Sequence, residues 1–289
     1  MNYRHHYHAG NFADVLKHAV LVRLVRAMQR KERGFLYVDT HAGRGRYDLA
    51  SAARGDTLER KPEWPEGIGR LWNRKGLPEV LADYVAEVKA YDQKLGNLEA
   101  APRFYPGSPR LVRMLARPQD RLALFEKHPD EAAALRAEFA RSSGVGIQSA
   151  DGYAGLRGQL PPPEKRALVL IDPPFEAQDE FAQVTRAIAD ALKRLPAATI
   201  VVWYPLTERA RVDAFFADLA VLALPPTFAL ELTVVGPLHP MKMKGCGLVV
   251  INPPWQIDRE LTPCFTWLTE MMAQDHGGRT ELRWLVKEG

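Results

Sequence analysis

The run Arg166-Ala-Leu-Val-Leu-Ile-Asp172-Pro173-Pro174-Phe175 carries five apolar residues into an acid, two prolines and an aromatic. A short uninterrupted apolar run is what a strand buried on both faces of a parallel sheet requires. Proline has no N–H, so Pro173 and Pro174 can neither extend that sheet nor start a helix in the ordinary way. What is left at the strand's carboxyl end is a rigid turn carrying acceptors and a flat ring. The Asp172 carboxylate and the Pro173 carbonyl can accept the two hydrogens of an exocyclic amine. Phe175 can stack on the ring that bears it. The plainer alternative is a Pro-rich turn whose acid caps a helix. A second copy, Leu248-Val-Val-Ile-Asn252-Pro253-Pro254-Trp255, means that the tetrapeptide must be placed in the fold before it is assigned.

Working outward, apolar runs predict seven strands, at 35–39, 122–126, 145–149, 167–172, 199–204, 229–234 and 247–252. Three- and four-residue apolar spacing predicts helices at 12–31, 129–142, 178–194, 207–222 and 257–273, with Asn11 as the first N-cap. Strands alternating with helices imply an α/β fold, a mainly parallel sheet covered on both faces. About 80 residues separate the first two strands, far more than an ordinary crossover. Residues 50–103 are therefore expected to form a helical insertion subdomain, with a helix at 79–93. The main domain is then 1–49 with 104–289. The insertion's apolar Trp72, Leu81 and Tyr84 are expected to pack on that main domain.

The strand tips carry the chemistry. The first ends in Asp39-Thr-His41-Ala-Gly43-Arg-Gly45, an acid and a glycine loop over which a ligand can lie close to backbone. No Gly-Lys-Ser/Thr follows, so it is not a phosphate loop. The second ends at Glu126, where open α/β sheets hold a ribose through its hydroxyls. The third ends at Asp151-Gly152, whose carboxylate can receive an adenine amino group, and the fourth at Asp172. Each acid alone could be a helix cap; four in a row with a glycine loop and Pro-Pro point to a ligand site. The tetrapeptide 172–175 itself resembles the Asp/Asn-Pro-Pro-aromatic signature of amino-methyltransferases that use S-adenosylmethionine.

Composition narrows the class. The 289 residues, 46% hydrophobic, can bury a large core. No apolar run approaches the ~18 residues of a membrane span. The opening Met1-Asn-Tyr-Arg-His-His lacks the apolar stretch of a secretion signal. Two cysteines, Cys246 and Cys264, without metal-ligand spacing fit a reducing compartment, the cytoplasm. The net charge of +4 permits a nucleic-acid partner without requiring one. The cluster of His5, His6 and His8 has no carboxylate or cysteine at ligand spacing, so no metal is expected.

A wider resemblance follows from four stretches. Tyr3-Arg4-His-His-Tyr-His8-Ala-Gly-Asn11-Phe-Ala-Asp14-Val-Leu-Lys17-His18, Asp39-Thr-His41-Ala-Gly43, Tyr105-Pro-Gly-Ser108-Pro109 and Asp172-Pro-Pro-Phe175 together resemble the RlmJ family of 23S ribosomal RNA adenine-N6 methyltransferases. The likeness runs from Tyr3 past Trp255. It implies a class I, Rossmann-like methyltransferase fold with the helical insertion after the first strand. It implies S-adenosylmethionine as cofactor, held by His18, His41, Gly43, Ser108, Glu126, Asp151 with Gly152, and Asp172, with Lys17 close by. Asp172 is then the catalytic residue, with Pro173 and Phe175, and Tyr3 faces the target nucleotide. Phe175 stands where Tyr is more usual, which leaves stacking intact.

The expected partner is 23S ribosomal RNA, with no membrane and no obligate protein partner. Arg4, Arg44, Arg46, Lys242 and Lys244 near the mouth are candidates for flanking phosphates. Three rivals are weighed. A DNA adenine-N6 or cytosine-N4 methyltransferase commonly carries a larger recognition domain than 50–103. A protein glutamine methyltransferase uses Asn-Pro-Pro-Tyr, against which Asp172 argues. A non-catalytic RNA-binding protein would not need Asp172, Glu126 and the Gly43/Gly45 loop intact. The copy at Asn252 is expected nearer the far edge of the sheet, shaping the rim with Trp255 partly buried.

Overall fold

The computed structural model describes residues 7–50 and 61–287. Helix α1 (Phe12–Met28) opens it, and Asn11 caps it by accepting from the N–H groups of Ala13 and Asp14. Strand β1 (Leu36–Asp39) follows, then the short β2 (Arg46–Asp48). The insertion supplies α2 (Ile68–Trp72) and α3 (Glu79–Lys94). The chain returns through β3 (Phe104–Pro106), α4 (Ser108–Leu115), β4 (Arg121–Phe125), α5 (Pro129–Phe139) and β5 (Val145–Gln148). Next come α6 (Gly152–Gln159), β6 (Ala167–Ile171), α7 (Glu180–Arg194), β7 (Thr199–Pro205) and α8 (Arg209–Ala220). Strands β8 (Thr227–Thr233) and β9 (Gly245–Ile251), helices α9 (Ile257–Leu261) and α10 (Cys264–Met272), and β10 (Arg279–Val286) complete it.

The main sheet has eight strands in the order β10-β8-β9-β7-β6-β1-β4-β5, rather than the expected seven. Strands β5, β4, β1, β6 and β7 are parallel neighbours, while β9 runs antiparallel between β7 and β8. This is the order of a class I methyltransferase sheet, with β10 added antiparallel on the β8 edge. A separate two-stranded ribbon pairs β2 with β3, tying the start of the insertion to its end. The additions escape a period-2 reading for physical reasons: β2 and β3 are three residues each, and β10 mixes charged and apolar residues at an edge. The single helix expected at 257–273 is two, because Pro263 has no N–H to continue α9.

Two apolar layers sandwich the sheet. On one face Tyr37, Leu168, Leu170 and Val201 meet α1, and Trp72, Leu81 and Tyr84 of the insertion join that same core. On the other, Val38, Val169, Ile171 and Val202 meet α7 and α8 through Val184, Ile188 and Phe215. All five residues of β6 are buried, and Leu168, Val169, Leu170 and Ile171 each contribute about 1.5–3 kcal/mol by leaving water. Helix α1 is buried nearly all round. Its arginines clamp neighbours: Arg23 binds Glu79 and Glu260, and Arg26 binds Asp83 and Glu87.

The second Pro-Pro copy lies elsewhere than expected. Because β9 is antiparallel, Ile251 pairs with Ile200 at the start of β7, so Asn252 sits at the amino edge of the parallel strands. Its side-chain amide donates to the Pro196 and Ala198 carbonyls, and its φ is +49°. Trp255, expected partly buried at the rim of the site, is 68% exposed at that opposite edge.

Candidate active site

Parallel β1, β4, β5 and β6 deliver their acids to one carboxyl edge. The β1 loop turns back through Gly43 and Gly45, at φ +59° and +76°. A Cβ on Gly43 would meet the Tyr47 hydroxyl at 2.6 Å, so glycine is required there. The loop is clamped to the tip of β4: Gly43 N–H donates to Glu126 Oε2 (2.9 Å) and His128 N–H to Oε1 (2.7 Å). Each carboxylate oxygen keeps a second lone pair for a hydroxyl donor. Burial raises the Glu126 pKa, and the two backbone N–H groups pull against it.

Asp151 caps α6, its Oδ1 accepting from Tyr153 and Ala154 N–H, while Oδ2 lies 3.5 Å from Lys127 Nζ. Burial pushes its carboxyl up, but the helix N–H groups and Lys127 outweigh it and the pKa is lowered. The capping alternative thus holds for one oxygen, and the other is the one beside Lys127. Gly152 is where α6 touches β1: an added Cβ would lie 1.9 Å from the Thr40 carbonyl oxygen.

Beneath the loop, Asp39 is fully buried. Its Oδ2 accepts from Tyr37 OH (2.8 Å) and Ser108 Oγ (2.7 Å), and its Oδ1 from His41 N–H (3.3 Å). Burial lifts its pKa to about 6 against those donors. Ser108 therefore acts on the loop through Asp39. The His41 ring lies edge-on to Tyr153 at 5.2 Å, with Nδ1 2.8 Å from Thr40 Oγ1. Burial lowers its pKa to about 4, with Lys127 adding to this and Asp172 and Asp151 opposing it.

Asp172 follows β6 and meets α1 across the face of the sheet. Lys17 Nζ lies 2.6 Å from Asp172 Oδ2 and 2.8 Å from Asp14 Oδ1, and Asp14 Oδ2 accepts from Gly10 N–H at 2.9 Å. Lys17 and Asp14 are 5% and 2% exposed. Burial disfavours the ammonium, yet the two carboxylates outweigh it and hold the pKa well above the lysine value. Lys17 is a fixed cation here, and Asp172 Oδ1 is the oxygen not engaged with it. His18 is one layer behind: its Nδ1 is 2.7 Å from Tyr105 OH, which is 2.9 Å from Tyr84 OH. Its Nε2 is 3.9 Å from Asp14.

Pro173 is buried and Pro174 half-buried. Phe175 turns at φ +50°, half-buried, its ring 4.7 Å from Phe181 and 5.9 Å from Trp203. Trp203 occupies the β7 position after Val202, the register partner of Ile171, and so stands beside Asp172. Tyr3 and Arg4, with His5 and His6, lie outside the described residues. Lys242 is exposed, whereas Lys244 donates to the His239 and Met241 carbonyls. Arg44 and Arg46 pair with Glu131 and Glu138 of α5.

Comparison with known proteins bears on this arrangement. The sequence model of the family described as "Ribosomal RNA large subunit methyltransferase D, RlmJ" matches residues 32–286. The chain belongs to the RlmJ family. It is 38% identical over 288 residues, all of both chains, to ribosomal RNA large subunit methyltransferase J of Escherichia coli. The Haemophilus influenzae protein of that name is also 38% identical over its full length. Protein LPL1258 from Legionella pneumophila, known by crystal structure, superposes with a TM-score of 0.84 at 34% identity, over 96% of this chain and 97% of that one. The RlmJ match spans both Pro-Pro copies, so membership alone does not choose between them; the direction of β9 puts only the first at the edge that carries the other acids. Two further residues of this RlmJ chain stand at the site without an expected role, Asp14 beside Lys17 and Trp203 beside Asp172. Asp14 was detectable, since an acid three residues before Lys17 on a helix shares its face. Trp203 becomes visible only once β6 and β7 are in register.

Proposed function

We propose that this RlmJ-family protein transfers a methyl group from S-adenosylmethionine to the exocyclic N6 of one adenine in 23S ribosomal RNA, in the cytoplasm. The observation that supports it most is the ion pair of Asp172 with buried Lys17, beside an aromatic pair and one loop away from the glycine turn. The residues suit the cofactor chemically. Glu126 keeps acceptor capacity for ribose hydroxyls, Asp151 offers an adenine amine the oxygen that does not cap α6, and Gly43 and Gly152 let the β1 loop and α6 pack closely enough to bring these groups together. His41, neutral at pH 7, adds no positive charge beside a sulfonium. Ser108 contributes by fixing Asp39, and His18 lies behind Asp14, held by Tyr105. When bound, S-adenosylmethionine supplies a methyl group already activated by its sulfonium.

The chain's own work is alignment and electrostatics. An adenine amine is a poor nucleophile because its lone pair is delocalised into the ring. Asp172 Oδ1 and the Pro173 carbonyl accept its two N–H groups, which lets the nitrogen pyramidalise and present that lone pair. Lys17, pinned between Asp14 and Asp172, fixes the carboxylate's orientation. Phe175 holds the ring plane. The surplus proton leaves afterwards, to Asp172 or to solvent. Tyr3, Arg4 and Lys242 meet the RNA, and Lys244 holds the loop that bears Lys242. Residues 50–103 serve as an insertion subdomain on a methyltransferase domain of 1–49 and 104–289.

Mapping N6-methyladenine in 23S rRNA with and without the gene tests the assignment. One adenine losing its methyl group, restored by the wild-type gene and not by Asp172→Ala, is the expected result. Restoration by Asp172→Ala, or methylation of DNA oligomers in preference to RNA by the purified protein, would overturn it.

A further inference from the structure

The connection from β8 to β9, residues 234–244, crosses the carboxyl edge of the sheet on the Asp172 side. β8 runs in the direction of β6 and β7, so the turn after it lies at the edge where Asp172 lies. Strands about 4.8 Å apart put this turn roughly 10–14 Å along the sheet from Asp172.

The turn is fixed from within. Gly236 N–H donates to both carboxylate oxygens of Asp275 at 2.9 Å. Val234 N–H donates to the Lys244 carbonyl at 2.8 Å, and Lys244 Nζ reaches the His239 and Met241 carbonyls at 2.6 and 3.2 Å. Met241 N–H donates to His239 Nδ1 at 3.1 Å. Pro237 and Pro240 fix φ at two further positions. All this holds Leu238 out in solvent, 98% exposed, with exposed Lys242 on the same loop. Single exposed leucines are ordinary where a surface is passive. A braced loop that presents one beside a site for a base is a different matter.

An enzyme that modifies a stacked base must take it out of the stack. Proteins that open a base step commonly insert an apolar wedge there. We propose that Leu238 is such a wedge: it enters the gap left by the target adenine while Lys242 meets a neighbouring phosphate. This rests on the reading that the substrate is an adenine in ribosomal RNA. Among the other exposed apolar residues, Trp255 is at the opposite edge of the sheet, and Leu98 follows α3 in the insertion.

The test compares Leu238→Ala and Leu238→Met with wild type on two RNAs. One is a 23S rRNA fragment holding the target adenine in a helix, and the other a single-stranded oligonucleotide of the same local sequence. Leu238→Ala should lower kcat/KM on the helical fragment about tenfold, within the cost of opening one base step that the wedge would offset. On the single strand the change should stay within about twofold, since no step needs opening. Binding of S-adenosylmethionine should be unchanged, and Leu238→Met should restore most of the loss. With 2-aminopurine at the target position, the fluorescence rise on binding should shrink in Leu238→Ala alone. Leu98→Ala, the control for a deleted surface leucine, should change neither RNA. Equal losses on both RNAs, or none on either, overturn the wedge. A wild-type protein that methylates neither RNA overturns the reading beneath it as well.

Discussion

Asp172 gives one oxygen to Lys17, and in the proposed function the other accepts the target amine. Asp172→Ala should abolish methyl transfer and leave cofactor binding weakened but measurable by calorimetry. Activity above a few per cent in single-turnover assays would remove it from the chemistry. Phe175→Tyr should be nearly silent, while Phe175→Ala should lower kcat/KM by about 1–3 kcal/mol in barrier, the range for base–aromatic stacking. Comparable effects from both would mean that the ring matters through its packing on Phe181. His41 gives a pH prediction. Its folded pKa of about 4 lies below the ordinary histidine value. The stability contributed by the neutral ring is therefore whole above about pH 6.5 and is lost as pH falls through the folded value. An NMR titration should show no His41 inflection between pH 8 and 6, and one near neutrality would contradict the burial argument. The acid that ends β6 was legible in the sequence because a buried strand running into Asp-Pro-Pro is chemically unusual. The Lys17 pairing was not, since it joins residues 155 positions apart through the packing of α1 on the sheet.

Helix α6 and strand β9 show how elements, more than residues, decide what a motif means. Gly152→Ala should push α6 away from β1, because its Cβ has no room against Thr40. Cofactor affinity and Tm should both drop. Gly158→Ala in the same helix, with nothing within 4 Å, should be neutral or up to about 1 kcal/mol stabilising. Equal behaviour of the two would sink the close-approach argument. Asn252→Ala loses two hydrogen bonds and places alanine at positive φ, so stability should fall by about 2–4 kcal/mol. The maximal rate should stay within about tenfold, or 1.4 kcal/mol in barrier. A folded, cofactor-binding but inactive Asn252→Ala protein would reopen the assignment of Asp172. Sequence alone could not separate the two copies on the right grounds. An apolar run reads the same whether its strand is parallel or antiparallel, and position along the chain suggested only that the second copy lay farther off. Its reversal is what carries Asn252 to the other edge.

At the scale of the molecule, the sheet is finished by a strand that the site does not use. Outermost β10 covers β8 and alternates Arg279, Glu281 and Arg283 with its apolar positions. Charged side chains on an edge discourage pairing with another chain. Removing residues 279–289 should therefore leave cofactor binding largely intact while light scattering rises with protein concentration. A truncated protein that stays monomeric would show that β8 needs no cover. The same arrangement sets an order of events during synthesis. Strands β1, β4, β5 and β6 with their tip acids all emerge before β10, so the nascent chain can assemble that edge while the opposite flank of the sheet is still bare. Until β10 joins, β8 keeps a row of unpaired backbone N–H and C=O groups, and a chain at that stage is open to pairing with its neighbours.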